Sequence, residues 1–140
     1  SQNHTSLASL DTNVYVAWKA NTGNSYVNRY SPDGSLEWTL DLGLLTPDSP
    51  RGIAVGSIGG GYVIGESTGP LDGQAFTGGK DAFVVKFNHT GSKVWTRIFG
   101  SSSDDIARGI TLNVLGEVYI SGYTGSASST VEFNGDTTSG

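Results

Sequence analysis

The sequence predicts an all-β fold made of repeated four-stranded antiparallel units, and three observations predict it. The first is internal repetition at a constant offset. GGKDAFVVKFNHTGSKVWTRIFG (Gly78 to Gly100) lies on NTGNSYVNRYSPDGSLEWTLDLG (Asn21 to Gly43) with every position displaced by 57 residues. Val27/Val84, Gly34/Gly91, Ser35/Ser92, Trp38/Trp95, Thr39/Thr96 and Gly43/Gly100 are identical, and Tyr26/Phe83, Arg29/Lys86 and Tyr30/Phe87 keep their chemistry. The second is that the same offset reappears downstream, where Arg51/Arg108, Gly52/Gly109, Ile53/Ile110, Gly59/Gly116, Tyr62/Tyr119 and Gly65/Gly122 coincide. The third is composition. The chain has 21 glycines in 140 residues, about twice the usual share, and Ser, Thr and Asn fill the gaps, as short strands joined by tight turns require.

The elements follow from the units in order. Residues 1–43 form a shorter, variant unit: about ten residues are lost between its second and third strands, and its SLASL start lacks the Arg-Gly-Ile opening. Residues 44–100 form a complete unit with strands at Gly52–Val55, Tyr62–Gly65, Ala82–Phe87 and Val94–Phe99. Phe83, Val85 and Phe87 point to one face and Ala82, Val84 and Lys86 to the other, so this third strand is largely apolar on both sides. Both faces are therefore expected to be covered, as when small sheets stack face to face. Ser31-Pro32-Asp33-Gly34 suits a type I turn followed by a glycine of positive φ, and Asn88-His89-Thr90-Gly91 occupies the same positions. The Trp four residues after each Gly is expected to be buried as an anchor between sheets. Phe76/Phe133 and Gly78/Gly135 carry the register into residues 101–140, which end where a third strand is due. About ten strands are expected in all.

A Gly-rich four-stranded unit with a period of about 40–60 residues and one aromatic anchor per unit is the pattern of a β-propeller blade. The expectation is therefore about two and a half blades. The chain also resembles the bacterial-type β-propeller repeat family, with its "GG-DAFV-K…G…W" and "G…D-A-GI…G-VY-(S/T)GYT" motifs. The matching residues are Gly78, Gly79, Asp81 to Val84, Lys86, Gly91 and Trp95, then Gly100, Asp105, Ala107, Gly109, Ile110, Gly116, Val118, Tyr119 and Ser121 to Thr124. The resemblance runs from about Leu7 onward. It implies the propeller fold and large secreted or surface proteins without a shared catalytic site. SPDGSLEW is similar to the hairpins of sialidase Asp-box and quinoprotein tryptophan-motif repeats as well, but lacks the spacing of the one and the cofactor ligands of the other.

Charge and composition narrow the function. A net charge of −5 with only eight scattered basic residues argues against nucleic acid, which is held by clustered Lys and Arg. Without cysteine there is neither a disulfide framework nor a thiolate metal site. No apolar run approaches about 18 residues, so neither a membrane span nor a signal peptide is expected within these residues.

Candidate chemistry is sparse. His4 and His89 each sit in Asn-His-Thr with no second ligand or base nearby in sequence, and solvated loop positions are expected for both. The same tripeptides are N-glycosylation sequons at Asn3 and Asn88; Asn88 also suits the first corner of a hairpin, where its side chain can bond the turn backbone. Asp48, Asp72, Asp81, Asp104, Asp105 and Asp136 raise calcium, yet no Asp-x-Asp-x-Asp-Gly loop is present. Asp105 is read instead as capping a turn or pairing with Arg108. No cofactor is expected. The leading expectation is a non-catalytic structural or adhesive module of a large extracellular or cell-surface glycoprotein, capable of building a layer or filament. Its structural anchors are Trp38, Trp95, Gly34, Gly91, Tyr62 and Tyr119, and its partners are further blades of the same protein or other copies. The alternative is a carbohydrate- or protein-binding propeller using the loops Ser67–Thr77 and Thr124–Glu132. An enzyme ranks third, because polar groups from several blades do not converge in the sequence.

Overall fold

A computed structural model describes residues 5–10, 13–43, 48–125, 130–133 and 136–139. Among them every regular element is a strand. β1 (Thr5–Leu10), β2 (Asn13–Lys19), β3 (Ser25–Tyr30) and β4 (Leu36–Asp41) form one antiparallel meander in the order β1-β2-β3-β4. β5 (Ser49–Val55), β6 (Gly61–Ser67), β7 (Asp81–Phe87) and β8 (Lys93–Phe99) form a second of the same topology. β9 (Asp105–Leu112) pairs with β10 (Val118–Thr124), and β11 (Thr130–Phe133) with β12 (Asp136–Ser139).

The shorter first unit is a four-stranded sheet as expected, its loss falling in the β2–β3 connection, where Ala20-Asn21-Thr22-Gly23 makes a tight turn closed by the Gly23 N–H on the Ala20 carbonyl. Two sequence expectations change. Each strand of the second unit runs longer than its apolar stretch, since polar residues such as Asp81 and Ser67 still pair in the ladder. The described strands number twelve rather than about ten. The extra pair, β11 and β12, forms a short hairpin in the stretch read as loop, with β11 beside β8.

The sheets stack face to face. Their first strands are successive neighbours, β1 beside β5 and β5 beside β9. The period-2 alternation then divides the core into two layers. Tyr15, Ala17, Val27 and Leu40 of the first sheet meet Val63, Phe83, Val85 and Phe87 of the second. On the opposite face of the second sheet, Ile64, Ala82 and Val84 meet Ala107 of β9. Phe83 and Phe87 are completely buried, which stabilises the fold by about 1.5–3 kcal/mol each. The apolar-on-both-sides reading of β7 is thus realised.

Turn chemistry repeats with the sheets. The Gly34 N–H bonds the Ser31 carbonyl at 2.9 Å and the Gly91 N–H the Asn88 carbonyl at 3.1 Å. Both glycines have positive φ, 86° and 81°, and a register shift follows in each hairpin, at Arg29/Tyr30 and at Lys86/Phe87. This is the type I turn with a glycine bulge that the Pro-Asp-Gly signal predicts. Asp105 caps its turn: its Oδ2 accepts from the Ser101 N–H at 2.6 Å and the Ser101 hydroxyl at 2.8 Å. Asp81 does the same with Thr77. Arg108 does not pair with Asp105 but lies 5.5 Å from the centroid of the Tyr123 ring.

Candidate functional site

Two of the sequence-predicted anchors, Trp38 and Gly91, meet at the contact between the first two sheets. Trp38, on β4, meets Tyr15 edge-on at 6.0 Å between centroids and Phe87 of the next sheet at 5.9 Å. It is half-buried rather than fully buried, because its indole lies at the rim beside the β7–β8 turn. Its Nε1 donates to the His89 carbonyl at 3.1 Å, and Arg29 Nη1 donates to the same oxygen at 3.2 Å. Arg29 is steered by Glu37 at 2.8 Å and sits 5.6 Å from the Tyr15 centroid. One backbone oxygen of the second unit is therefore gripped by two side chains of the first. Gly91 completes the fit, since a Cβ there would lie 2.6 Å from Trp38 Cδ2. Glycine is needed at this position for both its φ and its lack of a side chain.

Further bonds cross the same boundary. Tyr15 Oη donates to the Gly59 carbonyl at 3.2 Å, Lys19 Nζ to the Asp48 carbonyl at 2.7 Å, and Lys93 Nζ to the Leu42 carbonyl at 2.9 Å. Lys93 also pairs with Asp72 at 2.7 Å. Burial of the Asp72 carboxyl raises its pKa, but bonds from Lys93 and Thr96 and the Lys93 charge outweigh this and hold it below the usual range.

The second sheet presents the same constellation on its other face. Trp95, half-buried like Trp38, lies 5.9 Å from Tyr62, and Lys86 Nζ stands 5.5 Å from the Tyr62 centroid, as Arg29 does over Tyr15. Arg97 covers Trp95 at 5.6 Å. Here, however, Trp95 Nε1 and Lys86 Nζ find no acceptor among the described residues. Tyr119, the third-unit equivalent of Tyr62, is 56% exposed, and β10 has one edge without a partner strand among the described residues.

The remaining predicted residues are dispersed. Gly34 makes its turn in the open, and a Cβ added there would meet nothing within 4 Å. Asn88 Oδ1 accepts from the Thr90 N–H, the Thr90 hydroxyl and the Ser92 N–H, so this side chain organises the turn. Asn3 and His4 lie outside the described residues, and the side chain of Asp136 is likewise not described. Among the described residues no three His, Cys, Asp or Glu side chains gather as a metal site would require. Sequence reasoning missed the buried Glu66, which bonds Arg51 at 2.9 Å and Lys80 at 3.2 Å. Burial raises its pKa, but the two cations outweigh that and hold it below the usual range. The recurring Arg51/Arg108 was a signal for this pair. In the third unit Tyr123 replaces the carboxylate, and Arg108 meets a ring instead.

No family model matches the chain. A stretch of 101 residues is 34% identical to a protein of Caulobacter vibrioides described as Regulatory protein FlaEY. The match takes in 67% of this chain and 11% of that relative, so the chain spans a small part of the relative's length.

Proposed function

We propose that the chain is a run of β-propeller blades, about two and a half of them, acting as a non-catalytic structural or adhesive module of a larger extracellular or cell-surface protein. The observation that carries this reading is the repeated Tyr-Trp-cation constellation. It is saturated between the first two sheets and set out again, with two donors lacking acceptors among the described residues, on the next face. A unit whose faces are covered only by its neighbours acts through assembly. Further blades of the same protein or other copies are the partners that fit.

Sedimentation of the 140 residues at micromolar concentration tests the reading. Defined oligomers or loss of cooperative folding are expected, and a stable, cooperatively folded monomer would sink it. The extracellular setting has its own check. If the source is a eukaryote, Asn88 should carry an N-linked glycan, read by peptide mass spectrometry before and after glycosidase. A second reading, a protein-binding propeller, is favoured by the exposed Ile58, Val114 and Leu115 on adjacent hairpin turns.

A further inference from the structure

We propose that the β6–β7 connection is a strap that locks the first sheet onto the second, with Asp72 and Lys93 as its clasp, so that opening the clasp frees the end of the first sheet while the second stays folded. The inference concerns the two complete sheets alone and holds whether or not they belong to a propeller.

The two units differ most at this connection. In the first, Ala20 to Asn24 closes the hairpin directly, whereas in the second Thr68 to Lys80 leaves the sheet and returns. Both ends of this longer segment are staked down. Asp48 Oδ1 accepts from the Thr68 N–H at 2.7 Å and the Thr68 hydroxyl at 2.8 Å, and Asp81 Oδ2 accepts from the Thr77 N–H at 2.8 Å and the Thr77 hydroxyl at 3.0 Å. Its tip is a two-residue turn, in which the Gln74 N–H bonds the Leu71 carbonyl at 2.9 Å and Asp72 and Gly73 both have positive φ, 50° and 75°. These are the φ signs of a type I′ turn. Asp72 alone among the described non-glycine residues takes that conformation, which persists where the surroundings hold it.

What holds it is the boundary between the sheets. Leu71 is buried in the core that the two sheets share, with Leu40 and Leu42 of the first unit and Val85 and Phe87 of the second. Asp72 Oδ2 accepts from Lys93 Nζ at 2.7 Å and from the Thr96 hydroxyl, and the same Nζ donates to the Leu42 carbonyl at 2.9 Å. Lys93 and Thr96 are three residues apart, but the register shift at Lys86/Phe87 leaves Val94 unpaired and sets Lys93 opposite Phe87 and Thr96 opposite Val85. One ammonium thus ties together the strap, the outer strand of the second sheet and the residue that follows β4. Gly43 packs on all three partners: a Cβ there would lie 3.6 Å from Lys93 Nζ, 3.7 Å from Leu71 Cδ1 and 4.0 Å from Asp72 Oδ1. The carboxylate and the ammonium are partly exposed, at 37% and 23%, so salt reaches the clasp, while Leu71 lies buried beneath it.

Amide hydrogen exchange of the 140-residue chain tests the strap. The Leu42 N–H bonds the Ser25 carbonyl at 2.9 Å and reports the end of the first sheet. Asp72→Gly suits positive φ and removes the carboxylate, so it should speed exchange of the Leu42 amide about tenfold or more and leave the amides of Val63 and Val84 within about twofold. No change at Leu42, or an equal rise at all three amides, overturns the proposal. Salt supplies a second measurement. Raising it from about 0.05 M to about 1 M should speed Leu42 exchange several-fold in the parent chain. In Asp72→Asn, which keeps an acceptor oxygen without the charge, that response should vanish. A parent chain that does not respond to salt, or a response that survives Asp72→Asn, overturns the proposal equally.

Discussion

Trp38 and Trp95 are the same residue of the same repeat, 57 positions apart, and their surroundings are opposites. Trp38 has a ring on either side, Tyr15 within its sheet and Phe87 across the boundary, and its N–H is bonded to the His89 carbonyl. Trp95 has the in-sheet ring, Tyr62, and a guanidinium over its face, with no acceptor for its N–H among the described residues. Identical sequence therefore carries different energy according to what the next unit supplies. In a stacked-repeat fold the interface term belongs to a pair of units and not to either one.

Truncation breaks the comparison most forcefully. Trp38→Ala removes packing from both sheets and strands the His89 carbonyl with Arg29 alone, so a loss of about 3 kcal/mol is expected, toward the low end for a large aromatic because the ring is half-buried. Trp95→Ala should cost less, about 1 kcal/mol, since among the described residues no ring or acceptor from a neighbouring sheet meets its indole. Urea unfolding of both variants measures the gap. Equal losses would show that the sheet alone, and not the neighbour, sets the value of the anchor.

Glycines at equivalent turn positions give a smaller effect with a sharper cause. Gly34 and Gly91 share positive φ, so alanine at either strains the backbone by about 1 kcal/mol. Only at Gly91 would the added Cβ also press on Trp38, at 2.6 Å. Gly91→Ala should cost about 2 kcal/mol or more and Gly34→Ala about half that, by the same unfolding measurement. In a Trp38→Ala background the excess at Gly91 should disappear, because the ring that it collides with is gone.

These pairs show what was legible in the sequence. The offset of 57 exposed the units, the four-strand order and the turn glycines, because turn geometry and alternation are local properties written into neighbouring residues. Which face of Trp38 would be covered was not legible, since that depends on Phe87 and a backbone carbonyl some 50 residues away. The same limit hid Glu66. In sequence it is one carboxylate in GYVIGES, and only the pairing of β5 with β6 and the bend of the β6–β7 loop bring Arg51 and Lys80 onto it. Asp105 lay between, legible as a cap or an ion pair, and the four-residue reach back to Ser101 decided it. The β11–β12 hairpin escaped because TVEF and DTTS carry no strong alternation.

Glu66 against Tyr123 extends the comparison to charge. The carboxylate is held below its usual pKa despite burial, so it contributes stability above the unfolded carboxyl value, near 4.3, that is lost as pH falls through the folded value. In the third unit the equivalent Tyr123 offers Arg108 a ring in place of a carboxylate. Glu66→Gln is expected to lower stability by about 2 kcal/mol at pH 7, leaving Arg51 and Lys80 without their anion, and by much less at pH 3. Thermal unfolding of both proteins between pH 7 and pH 3 should show the curves converging. A constant gap across that range would mean that Glu66 acts through shape and not through charge.

The finest contrast lies between the two turns themselves. In the first, Asp33 Oδ1 accepts from the Ser31 hydroxyl and from the Ser35 N–H at 3.0 Å, and these bonds hold the exposed carboxyl down at about 2. In the second, the uncharged Asn88 does the equivalent work, with Ser92 N–H at 2.9 Å from its Oδ1. A depressed carboxyl pKa means that the lock on the first turn is complete above the unfolded value, near 3.9, and opens as pH falls through about 2. Protonation leaves Asn88 unchanged in that window. Lowering the pH from about 4.5 to 2 should therefore weaken the protection of the Ser35 amide relative to that of Ser92, once exchange is corrected for its intrinsic pH dependence. Asp33→Asn should flatten the difference, because the amide keeps the acceptor oxygen and loses the proton. If Ser35 and Ser92 keep the same relative protection across the whole range, the carboxylate is not what closes the first turn, and the remaining bonds, Gly34 N–H to the Ser31 carbonyl and the Ser31 N–H and hydroxyl to the Ser35 carbonyl, hold it instead.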